Sequence, residues 1–289
     1  MTLRTHLALG ATTVARAWAV TRADGLTLGF TDHDRGLSFD GLTFRPDTGL
    51  TAKAVVQGTG LAVDNSEAAG ALTSDAITDA DIEAGRYDGA EVRLWHVNWQ
   101  DVSMRELRFR GTLGEIRRED GAFHAELRGL TEPLNRPVGR LFQRDCTTVL
   151  GDAACGVDLS LPAYSGTAPA GANDGRSFSL AGLGGFAEGF FDKGRLRVLS
   201  GPAQGLVGIV RADALSGATR RIDLWSPIRA AVAPTDQVRL EAGCDKRPDT
   251  CRQKFANILN FQGFPFIPGE DWLLSHPVRS GTNDGGRLR

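Results

Sequence analysis

The chain has 289 residues, with 33 Lys plus Arg against 35 Asp plus Glu, a net charge of −2. That balance argues against a nucleic-acid grip as the main role, since such a grip needs a basic surplus to displace counterions, and no apolar run approaches the roughly 18 residues of a spanning helix. Apolar residues at 41% and charged residues at 24% describe a globular chain long enough for two domains, and 36 glycines without a fixed repeat point to many tight turns and a β-rich fold.

In chain order, the apolar stretch near the start is broken by Gly10, Thr12, Thr13 and Arg16, too weak for a secretory signal. A short helix leading into a strand at Ala17–Val20 is expected instead, in a chain made in a reducing cytoplasm. Four cysteines in that setting serve more readily as thiols or metal ligands than as a disulfide framework. Trp18–Arg22 and Leu26–Thr31 flank the hairpin signal Ala23-Asp24-Gly25, and Asp40-Gly41 sets up another turn before Leu42-Thr43-Phe44. Ser74–Arg86 reads as a short helix ended by Gly85 or Gly89.

Ala90–Trp99 reads as a strand covered on both sides, because neither alternating face is purely polar. Arg105–Arg118 and Ala122–Leu130 predict a long hairpin around Glu119-Asp120-Gly121. Thr131–Arg140 is a proline-containing connector. Gly166–Gly189 reads as long turns. Gly194–Ser200, Leu206–Val210, Thr219–Leu224 and Gln237–Leu240 predict a second strand set forming a small barrel or sandwich.

The four cysteines fall into two pairs. Cys146 and Cys155 are spaced C-x8-C, Cys244 and Cys251 C-x6-C, and 88 residues lie between the pairs. If the second strand set folds compactly, its two ends meet and the four thiolates converge. Soft thiolates suit iron–sulfur clusters, zinc and copper(I). The spacing matches neither the tight pairs of zinc ribbons nor the common ferredoxin runs, so spacing leaves a shared metal site, buried free thiols and two disulfides all open. Pro248 suits the first turn of a helix. Cys251 then lies near a helix start that favours its thiolate, with Phe255 and Ile258 on the same face.

The stretch Gly243-Cys244-Asp245-Lys246-Arg247-Pro248-Asp249-Thr250-Cys251-Arg252-Gln253-Lys254-Phe255, continued by Asn260–Gly269, resembles the carboxy-terminal signature of phage-type tail-tip and baseplate hub proteins, closest to the hub of gene transfer agents. Gly29–Asp34, Asp64-Asn65-Ser66-Glu67 and Leu150–Leu159 extend the resemblance over most of the chain. It implies a homotrimeric connector between a distal tail protein ring and a central tail-tip or fibre protein. Such a protein is made in the bacterial cytoplasm and resides in the tail baseplate of a virion or virus-like particle. It also implies a [4Fe–4S] cluster on Cys146, Cys155, Cys244 and Cys251, with no cysteine spare or missing.

Other candidates read as structure. Asp32-His33-Asp34 is a polar turn. His6, His96, His124 and His276 are scattered packing or surface residues. Gly182-Leu183-Gly184-Gly185-Phe186 lacks a dinucleotide-binding setting. Phe261–Gly269 covers the core or docks on a neighbouring subunit. No hydrolase, metalloprotease or phosphate-loop motif appears.

The expectation is a mainly β protein. An N-terminal β lobe spans 1–140, a second small barrel-like lobe spans 141–279 and is closed by the cysteine site and a short helix, and a flexible tail spans 280–289. The function expected is a non-enzymatic baseplate hub holding a [4Fe–4S] cluster. The alternatives are a zinc-stabilised binding module or a tail-associated cell-wall hydrolase.

Overall fold

The computed structural model describes residues 2–46, 65–66, 77–119, 122–131, 134 and 139–267. The chain divides into two compact units, Met1–Val138 and Gly139–Arg289, and both are mainly β. The expected tail at 280–289, His276 and the turn residues Asp120 and Gly121 lie outside the described residues, as do the side chain of His124 and most of the connector at 131–140.

The first unit opens on a short helix, α1 (Leu3–Leu7), whose N-terminus is capped by the Thr2 side chain. Strands β1 (Val14–Thr21), β2 (Thr27–Thr31), β3 (Leu37–Phe39), β4 (Leu42–Pro46) and β5 (Asn65–Ser66) follow. After the helix α2 (Asp79–Glu83) come β6 (Glu91–Asn98), β7 (Arg105–Glu119) and β8 (Ala122–Gly129). They form one eight-stranded sheet in the order β3-β4-β2-β1-β6-β7-β8-β5.

Its centre explains why no face of β6 is polar. Pairing of Trp18 with Leu94 and of Val20 with Val92 sends these side chains to one face, where they pack with Phe30, Phe109, Leu127 and Tyr87. Their chain neighbours Ala17, Ala19, Trp95 and Val97 go to the other face, under Phe39 and Phe44. Burying each of the larger aliphatic and aromatic side chains among these contributes roughly 1.5–3 kcal/mol. Between β3 and β4 the chain reverses in two residues, and both Asp40 (φ 52°) and Gly41 (φ 73°) take the left-handed conformation that such hairpins require.

The second unit carries β9 (Ser165–Pro169), β10 (Ser177–Ala181), β11 (Arg195–Val198), β12 (Val207–Ser216), β13 (Thr219–Leu224) and β14 (Gln237–Glu241). They form a curled, half-barrel-like sheet in the order β10-β13-β12-β11-β14-β9. Leu180, Leu196, Val210, Ile222, Leu224, Val238 and Leu240 fill its interior.

β9 and β10 correct the expectation of long turns at 166–189. Both are short edge strands: β9 is Ser-Gly-Thr-Ala-Pro, whose Gly and Pro are poor strand formers, whereas β10, Ser-Phe-Ser-Leu-Ala, alternates buried Phe178 and Leu180 with less buried residues. Pairing with β14 and β13 completes them, and Pro169 is tolerated because β9 is an edge.

A fully buried ion pair crosses this core. The Arg220 guanidinium donates to Asp213 at 2.6 Å and also holds the carbonyls of Phe186 and Ala187, while Asp213 accepts from the Phe191 N–H at 3.0 Å. Leu183 is buried beneath the glycine-rich segment that these bonds pin down, so 182–186 is a clamped turn.

Past β14, the chain makes the helix α3 (Pro248–Gln253), with Pro248 in its first turn, and then a single 3-10 turn at Ile258–Asn260. The helix is shorter than expected. Ala256 adopts φ 48°, so Ile258 no longer shares a helical face with Cys251 and Phe255. Among the described residues, no helix is long and apolar enough to cross a membrane.

Candidate metal centre

The sulfurs come from two segments that the second sheet brings together. Main-chain pairing does the first part: the Cys146 N–H donates to the Lys246 carbonyl at 2.9 Å. Lys246 sits at φ 68°, and its ammonium returns to the Thr148 carbonyl. The segment before Cys244 is fixed by close approach. Gly243 lies so near the Asp192 carbonyl that a Cβ there would come within 1.7 Å of its oxygen, so only glycine fits. Lys254 closes the same region, its ammonium donating to the Phe190 and Gly243 carbonyls at 2.5 and 2.8 Å.

Cys155 is held by a turn built on one aspartate. Asp152 accepts from the Cys155 N–H at 2.7 Å with one carboxylate oxygen and from the Val149 N–H at 2.9 Å with the other. These bonds hold its carboxyl below the usual carboxylate range. Asn257 supplies the link from the far side. Its amide donates to the Cys155 carbonyl at 2.6 Å, and its own oxygen accepts from Asn260 at 2.7 Å, which fixes the amide's orientation.

All four cysteines are free, and all four line one pocket that is partly open to solvent. Leu150, Val157, Phe255 and Phe261 form its apolar walls. Lys246 and Arg247 line it as well; among the described residues no carboxylate does, though the Asp245 charge reaches Cys244. Three of the sulfurs accept hydrogen bonds or lie next to a donor: Cys146 at 3.2 Å from the Thr148 hydroxyl, Cys244 at 3.4 Å from the Lys246 N–H, and Cys155 at 3.8 Å from the Asn257 amide. The Cys251 thiol instead donates to the Asn257 carbonyl at 3.2 Å.

The electrostatics reflect this convergence. Burial raises the Cys251 thiol above its ordinary value, and the charges of Cys244, Cys146 and Cys155 raise it further. The expected thiolate-favouring effect of the helix start is therefore outweighed at this residue. Burial also raises Cys244, against the opposing influence of the Lys246 N–H and charge. At Cys146 burial acts upward too, but the Thr148 side chain and main chain, the Gln262 main chain and Lys246 outweigh it, and the thiol lies below its ordinary value.

Four sulfurs lining one pocket beside two cations form a donor set for a soft, thiolate-ligated centre. The lining fits a thiolate-ligated zinc ion or an iron–sulfur cluster by the chemistry of its donors, although among the described residues no three His, Cys, Asp or Glu side chains are drawn together as around a bound ion.

The remaining candidates fall where the sequence put them. Asp32 accepts from the Arg16 N–H at 2.6 Å, and His33 takes a bond from the Arg35 N–H at 3.0 Å while its ring lies against Trp99, so Asp32-His33-Asp34 is a polar turn. His6 accepts from the Thr13 N–H and is a buried packing residue. Phe261–Gly269 divides its roles over the described part: Phe261 lines the cavity, Phe264 packs on Phe142, and Phe266 is 96% exposed. Thr148, Lys246 and Asn257 gave no signal in the sequence, since each acts on a partner that only the fold brings near.

Comparison with known proteins places this geometry in a family. Residues 1–158 match the family described as baseplate hub protein, N-terminal attachment domain, and residues 189–271 match one described as phage conserved hypothetical protein BR0599. The first match holds Cys146 and Cys155, the second Cys244 and Cys251, so the cavity draws one sulfur pair from each. A comparison with curated proteins finds no match. Among solved structures, a chain described as part of the virion of a native gene transfer agent particle is 55% identical, with a TM-score of 0.92 over 99% of both chains. The chain belongs to the baseplate hub protein family.

Proposed function

We propose that this protein is the baseplate hub of a gene-transfer-agent or siphophage-like tail, a non-enzymatic homotrimeric connector between the distal tail protein ring and the central tip protein. We further propose that Cys146, Cys155, Cys244 and Cys251 hold a [4Fe–4S] cluster. The hub reading is carried by the near-complete similarity to the gene transfer agent chain. The cluster reading is carried by the convergence of all four sulfurs on one cavity with cationic and apolar walls.

When bound, a [4Fe–4S] cluster supplies an anionic cross-link that is also a one-electron centre. The chain's own residues do the rest. Lys246 and Arg247 offset negative charge, Phe255 and Phe261 exclude water, and Asp152 and Asn257 orient Cys155. The segments 146–155 and 244–251 are thereby closed against each other at one end of the curled sheet.

Anaerobic purification followed by visible absorbance and by iron and acid-labile sulfide analysis tests the cluster. Broad absorbance near 400 nm with about four irons and four sulfides per chain is expected. A colourless protein with stoichiometric zinc overturns it. Immunodetection on purified particles tests the hub reading, which fails if the protein is absent from their tails.

A further inference from the structure

The outer face of the curled sheet breaks the alternation that its inner face obeys. Leu196, Val210 and Leu224 point into the core. The positions facing away from it should then be polar. Instead Val207 and Ile209 on β12 are 42% and 48% exposed, and Trp225, just past β13, is 62% exposed.

Strand register makes these three one patch. Leu224 pairs with Val210, and the Trp225 N–H donates to the Ile209 carbonyl at 3.0 Å, so Trp225 and Ile209 lie side by side. On the other flank Arg195 pairs with Ile209, and Arg197 pairs with Val207.

The charges beside the patch are unbalanced. Arg195 is answered by Glu241 at 2.8 Å. Arg197 pairs across the strands with Arg239, a like charge directly opposite, an arrangement that destabilises a sheet. Arg239 turns to the Leu159 carbonyl and the Ser165 hydroxyl and lies 3.9 Å from the Glu241 carboxylate. Arg197 has no ion pair among the described residues.

A tryptophan and two aliphatic residues beside an arginine lacking a counter-charge have the composition of an interface hot spot with one charge missing. We infer that this face docks a different protein of the tail assembly, one that places apolar side chains on Val207, Ile209 and Trp225 and a carboxylate on Arg197. A second copy in a two-fold contact would set arginines against arginines, and a second copy in the head-to-tail contact of a trimer is distinguished by the cross-linking test below. The inference rests on the reading of the protein as a component of a multi-protein tail.

The test uses the full chain, supplied to particle-producing cells that lack their own copy. A photoreactive benzophenone side chain is placed at position 209, particles are purified and irradiated, and adducts are identified by peptide mass. The expected result is an adduct with a different tail protein, in a segment containing Asp or Glu. Arg197→Glu should lower incorporation into particles by at least about tenfold, roughly one 1.4 kcal/mol increment. Arg197→Lys should incorporate normally and melt like the wild type in isolation, and Arg197→Glu, which faces Arg239 across the strands, should melt no lower than the wild type.

An adduct between two copies, an adduct with lipid, no adduct from particles that contain the protein, or normal incorporation of Arg197→Glu each overturns the inference. Absence of the wild-type protein from particles overturns the hub reading instead.

Discussion

The side-chain amide of Asn257 donates to the main-chain oxygen of Cys155 at 2.6 Å, across 102 residues of sequence. One uncharged residue near the end of the described chain thus fixes the backbone that presents a sulfur from its middle.

Replacing Asn257 by Ala leaves the Cys155 carbonyl without that donor and frees Asn260. A loss of about 1–3 kcal/mol is expected for an orphaned buried acceptor, read as a lower midpoint in denaturant. On the cluster reading, absorbance near 400 nm should also bleach faster in air than in wild type.

Cys244→Ser and Cys251→Ser should each weaken the unit Gly139–Arg289 more than Met1–Val138, because all four sulfurs belong to the former. Hydrogen exchange followed by mass spectrometry separates the two. Unchanged protection around 146–155 and 244–251 in both variants would count against a structural cross-link.

Gly243→Ala drives a methyl group into the Asp192 carbonyl. Overpacking of this kind costs typically 1–3 kcal/mol, and relief requires the segment carrying Cys244 to move. A fall in iron content along with the fall in midpoint is expected. Gly184→Ala provides the comparison for a glycine with open space around it and no left-handed backbone, since nothing lies within 4 Å of a Cβ there.

The Arg220–Asp213 pair has no exposed side-chain surface on either partner. Asp213→Ala strands a buried guanidinium and should cost about 3–5 kcal/mol. The double change Asp213→Leu with Arg220→Met removes both charges and should recover much of that loss in urea unfolding. The Phe186 and Ala187 carbonyls that Arg220 holds would remain unpaired, so recovery is incomplete.

His96 gives the first unit a dependence on pH. Burial, then the charges of Arg108 and Arg16, lower its pKa below the ordinary value of 6.5, against the smaller opposing effects of Glu106 and Asp32. The unfolded chain therefore binds the proton more readily than the folded one. This stability is present above pH 6.5 and is lost as pH falls below it. Denaturant midpoints at pH 7.5 and 5.5 should differ more in wild type than in His96→Gln.

Much of the fold was readable wherever side-chain alternation and turn chemistry agreed. Asp40-Gly41, the doubly covered strand at Glu91–Asn98 and the strand Thr219–Leu224 all follow from local pattern. The strand Ser165–Pro169 did not, because its Gly and Pro carry little strand preference and its partner lies about 70 residues away, and the Phe178 and Leu180 alternation of Ser177–Ala181 is too short to stand out among the surrounding glycines. The pairing of the cysteines was legible as a count and a spacing. The hydrogen-bonding residues around them were not, because Thr148, Lys246 and Asn257 form no periodic pattern and acquire meaning only from contacts across the sheet.

The separation of the two sulfur pairs has a consequence for biosynthesis. Cys146 and Cys155 leave the ribosome before any strand of the curled sheet, and Cys244 and Cys251 after the last one. A chain that stalls anywhere in between owns half a set of thiols and no cavity. Completion of the pocket therefore requires that every strand of that sheet has already been synthesised.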